Sequence, residues 1–503
     1  MQTIAAIDIG SNGIRMVVGR VDPNGQVEVV ENIRLPVRLG TDAFTSGVAS
    51  EETIRQVVEA FMQFRRIIRD YGIGRVRAVA TSAVRELSNR EILLDRIARN
   101  AFIEVQVIGG AEEARLVHLA VSHAMDLGGK RALLVDIGGG SVEVTLCKGQ
   151  QILATDSYNM GTVRVLQKLG QANGHPVPFE RLAQEYADAA KRHIEQDTGG
   201  KKVDVCIGTG GNVDEMGKLR QRLFKRTSDK VITLAELDAL IEKLKGLTLE
   251  ERISKLDLRP DRADVILPAA IVIRLFARQA GVKKIAVPKV GLKDGLLYDM
   301  AQEIEPGEHP LRPEQVWASA LQMGRKYQFD EQHGRHVARL AGRLFEETRQ
   351  IHQLEKENLL LLEVASLLHD VGHFINMIDH DQHGYYLLTA NYLIGLDDRQ
   401  QAIVANLVRY HRRATSDWDD PSVRPLKQED RRIAIKLMAL MRMADALDSS
   451  HTEAVRNVRL KRKKGIPTLK LFGVGDLLLE KWAFAKRKSL FAETFGVKLE
   501  LED

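Results

Sequence analysis

The strongest constraint in this chain is a duplication. Residues 4–20 (IAAIDIGSNGIRMVVGR) resemble residues 132–148 (ALLVDIGGGSVEVTLCK), with Asp8 matching Asp136 at an offset of 128. Each copy reads as a buried strand, an aspartate, a glycine-rich turn and a second strand. Solenoids repeat three or more times at short period, so two distant copies instead predict two related α/β lobes that face one another. The hairpin tips then converge on a cleft between the lobes. The 503 residues allow roughly three domains of about 150 residues, so each lobe can bury a core of its own.

The tips have chemistry to offer. Gly10 and Gly13, then Gly138, Gly139 and Gly140, lack Cβ atoms and let backbone N–H groups approach an anion closely. Ser11, Asn12 and Ser141 add side-chain donors. Asp8 and Asp136 end their strands at the same place, and a carboxylate beside a phosphate requires a cation between them; Mg²⁺ is suited to that task. One copy alone is adequately read as a tight turn; two in matching positions point to a phosphate site. A further element, Gly208-Thr209-Gly210-Gly211-Asn212, follows a strand and opens a helix, which suits a phosphate or a base. The dinucleotide fingerprint is excluded, because Val142–Leu146 continues as a strand.

Strand-like runs Ile4–Ile9, Val76–Ala80, Val105–Ile108, Ala132–Ile137, Val142–Leu146, Val203–Ile207 and Lys284–Val287 alternate with helical ones such as Glu52–Tyr71 and Phe179–Thr198. The proline- and glycine-bearing stretch Glu305–Pro313 reads as a linker. Beyond it, Glu314–Leu340, Lys356–Leu368, Gln400–His411 and Asp430–Leu447 have apolar residues at helical spacing, and Thr468–Phe472 and Val497–Leu501 read as short strands. The expected domains are residues 1–125 and 126–304 for the two lobes, 311–480 for a helical domain and 481–503 for a small C-terminal segment. Cys147 and Cys206 sit in apolar runs and read as reduced core thiols. The first residues carry no basic leader and no apolar run reaches about 18 residues, so a cytoplasmic protein without membrane contact is expected.

Six segments in order, AIDIGSNGIRMVV, AVATSAVREL, VIGGAEEARLVHLAV, LLVDIGGGSVEV, CIGTGGNVDEM and VGLKDGLL, resemble the exopolyphosphatase / guanosine pentaphosphate phosphohydrolase (Ppx/GppA) family. The resemblance covers residues 1 to about 300 and continues into the helical half. It departs at Gly13 and Gly109, where the family commonly has serine. It implies an actin-like two-lobed α/β fold of duplicated ribonuclease H-like lobes, followed by a mostly helical HD-like domain. It implies Mg²⁺-dependent hydrolysis of the terminal phosphate of inorganic polyphosphate, extending to guanosine pentaphosphate as a second substrate, in a cytoplasmic homodimer. Glu113 matches the family's general base, with Glu112 as fallback; Arg85 matches an arginine that holds the terminal phosphate; Asp136, Glu143 and Asp8 match metal and phosphate positions. A monovalent cation is an optional addition to the cofactor set. The alternatives are a guanosine pentaphosphate phosphohydrolase, or a guanosine-phosphate sensor with little polyphosphatase activity.

The helical half carries its own constellation. His333, His369-Asp370, His373, His380, His383, His411 and Asp445 follow an order that resembles HD-domain metal phosphohydrolases, and His333, His369, Asp370 and Asp445 are the candidate ligands of a second divalent metal. Arg409, Arg412 and Arg413, and the run Arg456–Lys464 with Arg462, Lys463 and Lys464, are candidates for a polyanion track. The net charge of 73 − 68 = +5 permits such a partner without demanding one. Nucleic acid is disfavoured, because no aromatic side chain interrupts the basic run.

Overall fold

In the computed structural model the described residues are 2–23, 25–171, 181, 184, 185, 188, 202–302, 304, 311–412, 426–463 and 466–502. The chain divides into two compact units, Met1–His309 and Pro310–Asp503. The expected linker falls mostly outside the described residues, as does most of the helix expected at Phe179–Thr198.

The duplication is the architecture of the first unit. The first hairpin is β1 (Gln2–Gly10) and β2 (Gly13–Val21), followed by β3 (Val27–Leu35), β4 (Arg75–Ala80) and β5 (Val105–Val107). Their sheet order is β3-β2-β1-β4-β5, with β4 parallel to both β1 and β5. The second hairpin is β6 (Arg131–Ile137) and β7 (Val142–Lys148), followed by β8 (Gln151–Tyr158), β9 (Val205–Thr209), β10 (Val231–Thr233) and β11 (Lys284–Ala286). Their order is β10-β11-β9-β6-β7-β8, with β9 parallel to β6 and β11. Removing the edge strand β10 leaves the first lobe's topology, strand for strand. This is the duplicated, actin-like fold.

The central strands read as continuous apolar runs because helices cover both faces of each sheet. Ile4, Ala5, Ala6, Ile7 and Ile9 are all fully buried. The long helix Glu51–Asp70 shows the local logic: Ser50 caps it by accepting from the Thr53 N–H, and Ile54, Val57, Phe61, Phe64 and Ile68 recur three and four apart on its buried face. The edge strands β3 and β8 escape a search for Val/Ile runs, because half-exposed strands dilute them with polar residues.

The second unit is built around one apolar core of helices. Two expectations need correction. The helix expected over Glu314–Leu340 is two helices, Leu311–Lys326 and Glu331–Glu347; Gln328 adopts a left-handed φ of 50° between them, and Asp330 caps the second by accepting from the His333 N–H. The C-terminal segment is no separate piece. The boundary at 480/481 falls inside the helix Leu478–Arg487, and Phe484 and Phe491 are fully buried in the same core. The basic run is an edge strand, β12 (Val455–Lys463), paired with β13 (Ile466–Gly473), which also pairs with the short β14 (Glu500–Leu501). Its exposed Arg456, Arg459 and Lys461 discourage pairing with another chain.

Candidate active site

The two hairpins are equivalent in backbone and differ in charge. In β1/β2 the residue paired across from Asp8 is Arg15, and the two form an ion pair at 3.0 Å. In β6/β7 the residue paired across from Asp136 is Glu143. The first lobe thus neutralises its own aspartate, whereas the second places two carboxylates side by side. A third arrives from the helix Gly110–Ala124, which packs on β7 and β8 and lays Glu113 against them. Oxygen atoms of Glu113, Asp136 and Glu143 all lie within 4.8 Å of one another.

This cluster is buried: Glu113, Asp136 and Glu143 are 6%, 9% and 1% exposed. Thr209 Oγ1 donates to Asp136 Oδ1 at 2.6 Å and Ser157 Oγ donates to Glu143 Oε1 at 2.9 Å. Glu113 Oε2 and Glu143 Oε2 have no hydrogen-bond partner. Burial, then the neighbouring Glu143 and Asp136 carboxylates, hold Glu113 well above the usual carboxylate range. Burial and then Asp136 push Glu143 up to about 7. Glu112 faces elsewhere: it accepts from Arg115 at 2.7 Å, and Arg115 is further bonded to Asp299. Arg85 donates to the Ile108 carbonyl at 2.5 Å, close enough for its charge to favour the ionised forms of Glu113 and Glu143.

A cavity of about 380 Å³ opens onto Glu113 and Asp136. Asp8, Gly10, Ser11, Asn12, Gly138, Gly139, Ser141 and Gly210 line it, so the two tips do converge. A Cβ on Gly139 would stand 2.8 Å from that of Ser11, and one on Gly210, whose φ is +95°, 2.7 Å from the Ile137 carbonyl. Gly13, Gly140 and Gly208 do not line it. Gly13 holds the tight turn at φ +153°, a Cβ on Gly140 would strike Phe44 and Ser82, and Gly208 makes room for Ile273. The sequence reading missed the cations of the wall: Arg15, Arg34, Lys218, Arg259, Arg262, Lys289 and Lys293. Burial, then Arg15 and Arg34, lower Arg262 to about 9, and it donates to Asn212 at 2.9 Å. Arg15 and Lys293 sit within quoted motifs; Arg262 lies on a loop-borne helical turn with no periodic signal.

The Ppx/GppA phosphatase family matches residues 17–304, and the third domain of the same family matches residues 317–483. The chain belongs to the Ppx/GppA phosphatase family. A relative from Vibrio parahaemolyticus, named guanosine-5'-triphosphate,3'-diphosphate pyrophosphatase, is 29% identical over 82% of this chain and 81% of its own length. Among solved structures, an exopolyphosphatase from Cytophaga hutchinsonii is 26% identical, with a TM-score of 0.56 over 61% of this chain and all of that one. A Ppx/GppA protein of Aquifex aeolicus shares the fold at 24% identity and a TM-score of 0.52, over 60% of this chain and 98% of its own.

In the third domain of this Ppx/GppA chain, His333, His369 and Asp445 come within 4.8 Å of one another, and so do Asp370, His373 and His380. His411 Nε2 lies 3.5 Å from Asp370 Oδ1. The sequence reading did not name Asp448, which holds His333 Nδ1 at 2.7 Å, or His451, whose ring stacks on His333 at 3.6 Å. The basic residues are less uniform than their spacing suggests. Arg409 is committed to Asp381 at 2.7 Å; Arg412 is exposed; Arg462 and Lys463 lie on β12; Arg413 and Lys464 lie outside the described residues. Among the described residues no helix is long and apolar enough to cross a membrane.

Proposed function

We propose that this chain hydrolyses the terminal phosphoanhydride bond of inorganic polyphosphate in the cleft of its first unit. The observation that carries this reading is the buried triad Glu113, Asp136 and Glu143 beneath a cavity walled by seven cationic side chains. The cavity suits a chain of phosphates: its described lining holds glycine tips, hydroxyls and seven cations beside six carboxylates, and no aromatic side chain on which a base could stack.

The three oxygen donors, two of them unpartnered, suit a hard divalent cation, and Asp136 and Glu143 are the residues that would hold Mg²⁺. When bound, Mg²⁺ supplies charge neutralisation for the bridging and leaving phosphate oxygens. Asp8 belongs less to that set than the sequence reading proposed, because Arg15 already satisfies it. Backbone N–H groups at Gly139 and Gly10, with Ser11 and Ser141, fix the terminal phosphoryl group, while the Gly138 N–H closes the turn by donating to the Ser141 carbonyl at 3.1 Å. Glu113, with its raised proton affinity and free Oε2, takes a proton from the attacking water. That water's oxygen bonds to phosphorus as the bond to the leaving chain breaks, giving inorganic phosphate and a chain one unit shorter. Arg85 offsets charge beside the carboxylates. Homodimerisation is part of the same proposal.

Guanosine pentaphosphate is the second reading, favoured by the name of the Vibrio relative and by its coverage of most of this chain. The test is phosphate release from long-chain polyphosphate and from guanosine pentaphosphate with Mg²⁺, for wild type and Glu113→Gln. Loss of both activities in the variant supports the shared site. Undiminished release removes Glu113 as the base.

A further inference from the structure

The charge of this chain is unevenly held. Residues 456–488 contain eleven lysines and arginines against two acids, so this stretch carries +9 while the whole chain carries +5. The remainder of the molecule is therefore net acidic. The stretch covers most of β12, all of β13 and the helix Leu478–Arg487. It also gathers exposed apolar side chains. Leu478 and Trp482 are 70% and 55% exposed, and Phe472, Val474 and Leu479 are exposed with them. A lone exposed leucine needs no account, but five large apolar residues within eleven positions do.

The helix has two unlike faces. Glu480, Ala483 and Phe484 are buried, and Arg487 is paired with Asp445, so this side is turned to the core. Leu478, Lys481, Trp482, Ala485 and Lys486 recur three and four apart, and all are exposed. That outer face is apolar and basic at once, with no acid on it. Lys486 Nζ lies 3.6 Å from the centre of the Trp482 ring, and Lys470 Nζ 5.5 Å from that of Phe472. On the hairpin, Arg459 pairs across from Lys470 and Lys461 from Thr468, with Glu502 at 3.7 Å from Lys461 and 3.8 Å from Lys470.

This mixture decides what the face fits. A soluble polyanion would neutralise the lysines and leave Val474, Leu478 and Leu479 in water. A single-stranded nucleic acid would need the aromatic faces for its bases, and each ring already has a lysine over it. A second copy would bring the same positive charge. An anionic phospholipid surface meets both needs: its headgroups take the ammonium groups, and Trp and Leu side chains enter the boundary between headgroup and acyl chain. We infer that the third domain docks peripherally on anionic phospholipid bilayers through the outer face of the helix Leu478–Arg487 and the segment Phe472–Val474 that leads to it. The sequence expectation of no membrane contact rested on the lack of a leader and of a spanning run, neither of which a surface-lying helix requires. The face is made of second-unit residues alone and is independent of the reaction proposed for the cleft.

The experiment sediments the full chain with vesicles of phosphatidylcholine, and with vesicles of phosphatidylcholine and phosphatidylglycerol in equal parts, and records tryptophan emission. Binding to the anionic vesicles alone, with a blue shift, is expected, and it should weaken as salt is raised. Leu478→Ser with Trp482→Ser should weaken it by about 10-fold or more, the loss that follows from withdrawing two large apolar side chains from lipid. Lys481→Glu with Lys486→Glu should weaken it as well and reduce its salt dependence. All four side chains are exposed, so the melting temperature should not change. Trp482→Phe should keep the binding and lose most of the blue shift. Failure of the parent to sediment with anionic vesicles, or undiminished binding by the Leu478→Ser, Trp482→Ser variant, overturns the proposal. If that variant has instead lost affinity for polyphosphate or a single-stranded oligonucleotide, the face belongs to a soluble polyanion.

Discussion

At the scale of single residues, two adjacent glutamates divide into different roles through their partners. Glu113 is buried against two other carboxylates, and Glu112 is bonded to Arg115. Glu113→Gln should cut phosphate release by about 100-fold or more while leaving the melting temperature unchanged or raised, because it removes a buried carboxyl crowded against two others. Glu112→Gln should keep the activity and cost roughly 1–3 kcal/mol of stability, since Asp299 is then the one charged partner left to the buried Arg115 of the two described here; chemical denaturation measures this. Glu143 gives a pH dependence. Its carboxyl is pushed up from 4.5 to about 7, so between those values the folded chain binds more protons than the unfolded one. Stability of the metal-free protein therefore falls as pH rises through that window, by about 3 kcal/mol at most. Mg²⁺ should raise the melting temperature more at pH 7.5 than at pH 5. Equal shifts at both pH values would remove Glu143 from the binding set.

At the scale of elements, the helix carrying Glu113 is positioned by a close approach. A Cβ on Gly295, in the helix Leu292–Gln302, would lie 1.8 Å from the Leu116 carbonyl. Gly295→Ala should therefore push the two helices apart, costing on the order of 1–3 kcal/mol and lowering the turnover rate more than the affinity for polyphosphate. Steady-state kinetics separate the two effects. The same element shows what the sequence makes legible. The hairpins, their glycines and the Glu-Glu pair are written as local patterns, and the central strands as apolar runs. Edge strands β3 and β8 are not, because half-exposed strands carry mixed composition. The cationic wall is not local either: Arg34 on β3, Arg262 and Lys289 lie far apart in the chain and meet only in the folded lobes. The break at Gln328 escaped because both flanking helices continue the same apolar spacing, and a single left-handed residue leaves no mark on periodicity.

At the scale of the whole molecule, each unit owns its core: the apolar cluster of the second unit draws only on residues from Val316 to Leu501. Residues 310–503 expressed alone should unfold cooperatively, with helical circular dichroism; a non-cooperative transition would show that this core does not suffice. The two lobes share one strand order apart from β10, and the residue seven places after each aspartate sets them apart. Arginine makes one wall internally neutral, and glutamate leaves the other with crowded carboxylates that take up protons and, on the proposed function, a cation. The cleft is thereby given a direction, with a neutral wall and a hungry one. Exchanging the two residues, Arg15→Glu with Glu143→Arg, preserves the composition and reverses that direction; if Asp136 and Glu143 hold the cation, phosphate release should be lost.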